Sequence, residues 1–140
     1  MVEMCEAINK TYLLPFPVSL VYKTWTSSNT VIAPATSMEI NPVVGGIYRL
    51  NIDSENGQIY NEGKFLQVIP EHLIQYCWEW NGDGDVTQIT VIFSGQGSGT
   101  ELRLQHSGFT SAESLKMHDE GWDSFMTGIS KFMEKAEEQD

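Results

Sequence analysis

Trp122, Phe125, Met126, Ile129, Phe132 and Met133 stand at relative positions 0, +3, +4, +7, +10 and +11 near the end of a 140-residue chain. That spacing puts all six on one stripe of a helix, and a helix so striped must bury a wide apolar face. What can cover it is set by the residues before it. Between Met38 and His106 the apolar residues recur at every second position. Met38 and Ile40 flank Glu39; Tyr48, Leu50 and Ile52 alternate with Arg49, Asn51 and Asp53. Gln58 to Ile69 follows a turn at Ser54 to Gly57. Ile74, Tyr76, Trp78 and Trp80 then share a face, as do Thr87, Ile89, Val91 and Phe93, and finally Leu102, Leu104 and His106. Gly45-Gly46, Pro70, the Asn81 to Asp85 run and the Gly95 to Gly99 loop punctuate these segments, so they read as antiparallel strands joined by turns.

Upstream, Ala7 to Leu14 reads as a first strand with Ile8, Lys10, Tyr12 and Leu14 on one side, ended by Pro15 and Pro17. Val18, Val21, Tyr22 and Trp25 fall at i, i+3, i+4 and i+7 and predict a short helix from about Pro17 to Trp25, opened by a proline whose missing N–H is harmless there. Ser27 to Ala35 supports at most one helical turn, because Thr30, Val31 and Ile32 are β-branched and Pro34 blocks continuation. Thr110-x-x-Glu113 offers a capping box for the approach to the last helix, and Gly121 marks a bend within it. Lys131 and Lys135 suit the C-terminal end of that helix, whereas Glu137, Glu138 and Asp140 oppose its dipole, so the last residues are expected to fray.

The expected class is therefore α+β, with one domain over residues 1–140: a curved antiparallel sheet of six to seven strands wrapped around a long C-terminal helix, with one or two short helices after the first strand. Such a helix lies across the concave face. A cavity remains wherever the facing side chains do not fill the gap.

Charge narrows the partners. Eight Lys plus Arg stand against nineteen Asp plus Glu, a formal net charge of −11, which argues against nucleic acid as a partner, since phosphate binding needs a basic patch, and equally against an anionic membrane surface. No run of about 18 apolar residues spans a bilayer. The acidic Met-Val-Glu-Met-Cys-Glu opening lacks the pattern of a secretory signal, and Cys5 and Cys77 are too few for a disulfide framework. Reduced thiols in a cytoplasmic protein are the expectation.

Several tempting motifs fail on their own chemistry. Gly95-x-Gly97-x-Gly99 joins two strands and opens no helix, so it is a hairpin turn and not a nucleotide loop. Asn81, Asp83 and Asp85 begin like a calcium loop, but Val86 and Ile92 replace its glycine and bidentate glutamate. His72, His106 and His118 are scattered, and no nucleophile elbow occurs. No metal, cofactor or catalytic residue is assigned.

Six segments taken together carry a resemblance. They are Pro17-x-x-x-Val21-x-x-x-Trp25, Val44-Gly45-Gly46-x-Tyr48, Gly63-x-Phe65-x-x-Val68-x-Pro70, Tyr76-x-Trp78-x-Trp80, Gly99-Thr100-x-Leu102 and Gly121-Trp122-x-x-x-Met126. In this order, from about Ala7 to Met133, the chain resembles homologues of the C-terminal domain of the heat-shock-protein-90 ATPase activator, within the START-like (SRPBCC) helix-grip superfamily. It departs from many members at Val31-Ile32-Ala33-Pro34, where they carry Trp. The resemblance implies a helix-grip domain with a deep pocket for hydrophobic or amphipathic small molecules. Relatives so described include co-chaperone domains, cyclase-like enzymes, lipid carriers and resistance proteins, and fold alone does not choose among them.

The candidate pocket residues come from both layers. The sheet offers Tyr48, Leu50, Phe65, Tyr76, Trp78, Trp80, Phe93 and His106, and the helix offers His118, Trp122, Phe125, Met126 and Ile129. Each aromatic ring either fills the core or lines a pocket, and buried indole N–H and phenol O–H groups supply sparse polar points on such a wall. His106 is either bonded to the sheet or touches a ligand or a proton in transit. Glu39, Glu62 and Arg49 reach the cavity only if a bulge shifts register; simple alternation turns Arg49 to solvent.

Three functions follow. The first is binding of a small hydrophobic or aromatic molecule, which needs an apolar cavity of about 300–1,000 Å³. The second is a cyclase- or hydrolase-like enzyme using a pocket histidine with a carboxylate. The third is a co-chaperone-like interaction module with about 800 Å² of docking surface per partner. A chaperone partner is the least expected, since the added domain such activators carry has no counterpart in these residues. Homodimerisation through exposed sheet or helix surface stays open.

Overall fold

The computed structural model describes residues 7–32, 35–54, 57–82, 84 and 86–138, with side chains undescribed at 54 and 136–138. Strands β1 (Ile8–Leu14), β2 (Ser37–Ile40), β3 (Ile47–Ser54), β4 (Gly57–Ile69), β5 (Leu73–Trp80), β6 (Thr87–Gln96) and β7 (Gly99–Ser107) form one antiparallel sheet in the order β1-β7-β6-β5-β4-β3-β2. Helix α1 (Val18–Trp25) follows β1, and α2 (Ala112–Glu138) closes the chain. The long helix lies across the concave face, which is the helix-grip arrangement. Among the described residues no helix is long and apolar enough to cross a membrane.

Period-two alternation decides which face each strand buries. Ile74, Tyr76 and Trp78 of β5, Ile89, Val91 and Phe93 of β6, and Leu102, Leu104 and His106 of β7 all point inward and are buried. Val21 and Trp25 of α1 and Trp122, Met126, Ile129 and Met133 of α2 complete the same core. Aromatic rings bridge the layers: Trp25 stacks on Trp122 with centroids 6.0 Å apart, and Phe125 meets Trp25 edge-on at 5.3 Å.

At the open end of the sheet the helix is tied down by charge. Lys10, on the inner face of edge strand β1, bonds Asp123 at 2.8 Å and Asp119 at 3.2 Å, and the Tyr12 hydroxyl donates to Asp123 at 2.9 Å. Burial lowers the Lys10 pKa, but the two carboxylates outweigh it and the net shift is upward.

The helices refine these expectations in detail. Pro17 sits at the N-cap of α1 in an extended conformation, with its carbonyl accepting from Leu20 and Val21, so the helix starts one residue later. The residues after Trp25 form a turn and no second helix among those described; Ala33 and Pro34 lie outside them. At the start of α2 the Ser111 hydroxyl accepts from the Ser114 N–H at 3.1 Å; the short Ser side chain reaches the third N–H from directly before the helix. Helix α2 runs unbroken through Gly121, because the packing of its stripe on either side outweighs the propensity loss of one glycine. Cys5, Asp83, Asp85 and Asp140, and the side chains of Glu137 and Glu138, lie outside the described residues.

The β4 bulge falls at Leu66, between the Phe65↔Tyr76 and Gln67↔Gln75 pairs. It lies beyond Glu62, so Glu39, Arg49 and Glu62 keep the outward phase. There Arg49 pairs with Glu62 at 2.9 Å and lies 4.3 Å over the Tyr60 ring. No carboxylate is delivered to the concave side by this route.

Candidate functional site

Where α2 draws away from β3 and β5, the facing side chains do not fill the gap, and a cavity of about 280 Å³ remains. Its floor is Tyr48, Leu50 and Ile52 of β3 with Trp78 and Trp80 of β5. Its roof is the α2 stripe Met117, His118, Gly121, Trp122, Ser124 and Phe125, and Ile32 closes one side from the loop after α1. These helix positions share a face by their spacing of three and four. Met117, Gly121 and Ser124 are exposed and form the rim. A Cβ on Gly128 would overlap the Ile32 Cγ2, so the missing side chain there is what lets the loop seat against the helix. An apolar cavity of about 150 Å³ takes a benzene ring, so this one is sized for roughly two fused rings.

The polar groups of the wall are mostly paired with one another. Trp122 Nε1 donates to His106 Nδ1 at 3.0 Å, and His106 Nε2 lies 2.7 Å from Thr87 Oγ1. With Nδ1 accepting, the ring proton is on Nε2 and goes to the Thr87 oxygen, whose own proton reaches the Trp78 carbonyl at 3.3 Å. Burial, with the field of His118 beside it, pushes the His106 pKa down to about 3. The ring is neutral and both nitrogens are occupied. His118 accepts from Trp80 Nε1 at 3.1 Å through Nε2, while Nδ1 faces the Ser114 carbonyl at 2.8 Å. Trp25 Nε1 donates to the Tyr76 hydroxyl at 3.4 Å, and Tyr76 stacks on Tyr48 with ring centroids 4.5 Å apart. Burial raises both phenol pKa values far above their usual range, so neither ionises near neutrality.

Among the described residues, two buried polar side chains stand outside these networks. Trp78 Nε1 has no partner, and neither atom of the Asn61 carboxamide has one.

Of the candidate residues, Tyr48, Leu50, Trp78, Trp80, His118, Trp122 and Phe125 come together on the cavity wall. Phe65, Tyr76, Phe93, His106, Met126 and Ile129 do not reach it; they are buried behind it in the core. For His106 the reason is the Trp122 ring, which covers it and occupies its free nitrogen. Ile32, Ile52, Met117, Gly121 and Ser124 line the cavity without having been singled out. Ile52 is in phase with Leu50, and Met117 precedes Phe125 at helical spacing, so periodicity alone reaches these two. Nothing in the pattern points to Ile32.

Chemically the wall is an aromatic box with a few fixed N–H and O–H groups. Among the described lining residues none carries a carboxylate, a lysine or an arginine. The described residues include no group of three or more His, Cys, Asp or Glu able to hold a metal ion.

Comparison with known proteins bears on the same architecture. Residues 15–134 match the family described as activator of Hsp90 ATPase homolog 1-like protein. No curated protein matches the chain. Among solved structures, a protein from Chromobacterium violaceum superposes with a TM-score of 0.79 at 18% identity, over 91% of this chain and 96% of that one. An HSP90 activator from Plasmodium falciparum gives 0.75 at 22% identity, over 94% and 96%. A protein of the dynemicin biosynthetic locus gives 0.80 at 17% identity, over 94% of this chain but 48% of its own. At these identities the likeness establishes the shared fold.

Proposed function

Because the chain belongs to the activator of Hsp90 ATPase homolog 1-like family, a helix-grip fold suited to ligand binding, we propose that it is a receptor for a small, neutral, mainly apolar ring compound held between the sheet and α2. The observation that carries this reading is the cavity of about 280 Å³, floored by Trp78 and Trp80 and roofed by Trp122 and Phe125. Flat aromatic walls suit flat apolar ligands. The absence of charge on the described wall, within a chain of net charge −11, favours an uncharged occupant, since a buried ion would find no counter-charge.

Binding is favoured over turnover by the state of the two histidines. His106 is neutral and closed off, His118 already accepts from Trp80, and among the described lining residues no carboxylate stands beside them as acid–base chemistry requires.

Native mass spectrometry followed by tryptophan fluorescence against neutral one- and two-ring aromatics tests the reading. The expected result is a retained small molecule or saturable quenching at one ligand per chain. Bare protein with no response across the panel overturns it. The family description and the Plasmodium falciparum relative carry a second reading, contact with Hsp90. A rise in Hsp90 ATPase rate on adding the chain, unaffected by filling the cavity, would put that reading first.

A further inference from the structure

We propose that the cavity is built for an amphipathic occupant: a neutral one- or two-ring compound bearing a carbonyl or hydroxyl oxygen, which the Trp78 indole N–H and the Asn61 carboxamide receive together. This rests on the binding reading above and specifies the chemistry of one end of the ligand.

The chain has four tryptophans, and three of their indole N–H groups are matched inside the fold. Trp25 donates to Tyr76, Trp80 to His118 and Trp122 to His106. Trp78 is the exception, although it is only 8% exposed and lines the cavity. Asn61 is 0% exposed with both amide atoms unmatched. In register it stands between Leu50 on β3 and Trp80 on β5, both of them cavity residues, so it shares their concave face and lies under the cavity floor. Trp78 is two residues along β5 from that pair and on the same face.

Buried polar groups in folded proteins are nearly always matched, and each one left unmatched is destabilising. Two such groups on neighbouring strands, Trp78 on the cavity wall and Asn61 directly beneath its floor, define a polar end to an otherwise apolar site. Their chemistry is complementary. The indole can only donate, whereas the carboxamide both donates and accepts. A carbonyl oxygen takes both N–H donors; a hydroxyl takes one and returns its proton to Asn61 Oδ1. Seating that oxygen requires the half-buried Leu50 and Trp80 side chains to part. A carboxylate or ammonium is disfavoured, because no charged side chain lines the described wall.

Naphthalene, naphthol and tetralone separate the two levels of the argument, since they share a ring frame and differ in the oxygen. Titrated by tryptophan quenching, the wild-type chain is expected to bind naphthol and tetralone at least about tenfold more tightly than naphthalene. Trp78→Phe, which keeps a ring and deletes the N–H, and Asn61→Leu should each bring that ratio close to one while naphthalene still binds. Asn61→Leu should also melt higher than the wild type, because it removes an unmatched buried amide. If Asn61→Leu does not fold, Trp78→Phe decides alone. Equal binding of naphthalene and naphthol by the wild-type chain overturns the polar end and leaves the cavity a receptor. No binding of any of the three overturns both.

Discussion

The indole of Trp122 donates to His106 Nδ1 at 3.0 Å, and this bond fixes the histidine as a joint between the layers. Through Nε2 the same ring meets Thr87, and Thr87 meets the Trp78 carbonyl, so a single relay runs from α2 through β7 and β6 to β5. Every atom along it is buried. A relay of this kind is rigid because loosening one bond leaves the next group unmatched in a medium of low dielectric.

Trp122→Phe tests the joint. The substitution keeps an aromatic ring against Trp25 and Phe125 but removes the N–H, leaving His106 Nδ1 as a buried acceptor without a donor. Stability should fall by about 1–3 kcal/mol from the lost bond, with a further loss from the smaller ring. Urea unfolding measures it directly. An unchanged midpoint at unchanged slope would show that the bond contributes nothing.

The depressed pKa of His106 gives stability a pH dependence whose sign is fixed. The unfolded histidine takes a proton near pH 6.5, while the folded one resists until about pH 3. Between those values the unfolded state holds more protons, so stability is complete above about pH 6.5 and declines as pH falls towards 3, by at most about 1.4 kcal/mol per pH unit for this one group. Urea unfolding from pH 7.5 down to pH 4.5 should show the decline in the wild type and a flatter profile in His106→Asn, on a lower overall stability. Parallel profiles for the two proteins would remove His106 as the cause.

The layers of this fold were legible in the sequence because each strand shows one buried face. Leu102, Leu104 and His106, or Thr87, Ile89, Val91 and Phe93, need only a period of two to be placed inward. The site was less legible, since periodicity says that a residue faces inward but not which part of a curved sheet it meets. Phe125 and Met126 are adjacent on the α2 stripe, yet Phe125 roofs the cavity and Met126 turns to the groove beside Tyr12 and Leu14 of β1. The rim escaped for another reason: Gly121 and Ser124 contribute by being small, and small residues leave no hydrophobic signal. Asn61 was in phase with Phe65 and therefore readable as inward, but only the packed structure shows that its amide has nothing to bond.

Gly63 holds the floor of the site in register. It faces Tyr48 on β3, and a Cβ built there would overlap the backbone oxygen of Cys77 on β5. Backbone cannot rotate away as a side chain can, so Gly63→Ala must spread β4 from β5. Overpacking of this sort costs about 1–3 kcal/mol, and the β4–β5 amides should lose hydrogen-exchange protection ahead of those in β6 and β7. A variant as stable as the wild type, with protection intact, would refute the close approach.

Gly121 allows the cavity to be filled without strain. It lies on the rim, it is helical, and a Cβ added there meets nothing within 4 Å. Gly121→Leu gains roughly 0.8 kcal/mol of helix propensity and can turn its side chain into the apolar space between Leu50, Ile52 and Trp80. Melting temperature should therefore rise while quenching by two-ring aromatics is lost. The opposite movement of the two readouts is the point, because a merely damaged fold would lose both. Ligand binding at wild-type affinity in a Gly121→Leu protein whose indole fluorescence shows Trp80 and Trp122 shielded by the leucine would mean that the ligand seats elsewhere, away from the gap between α2 and β3.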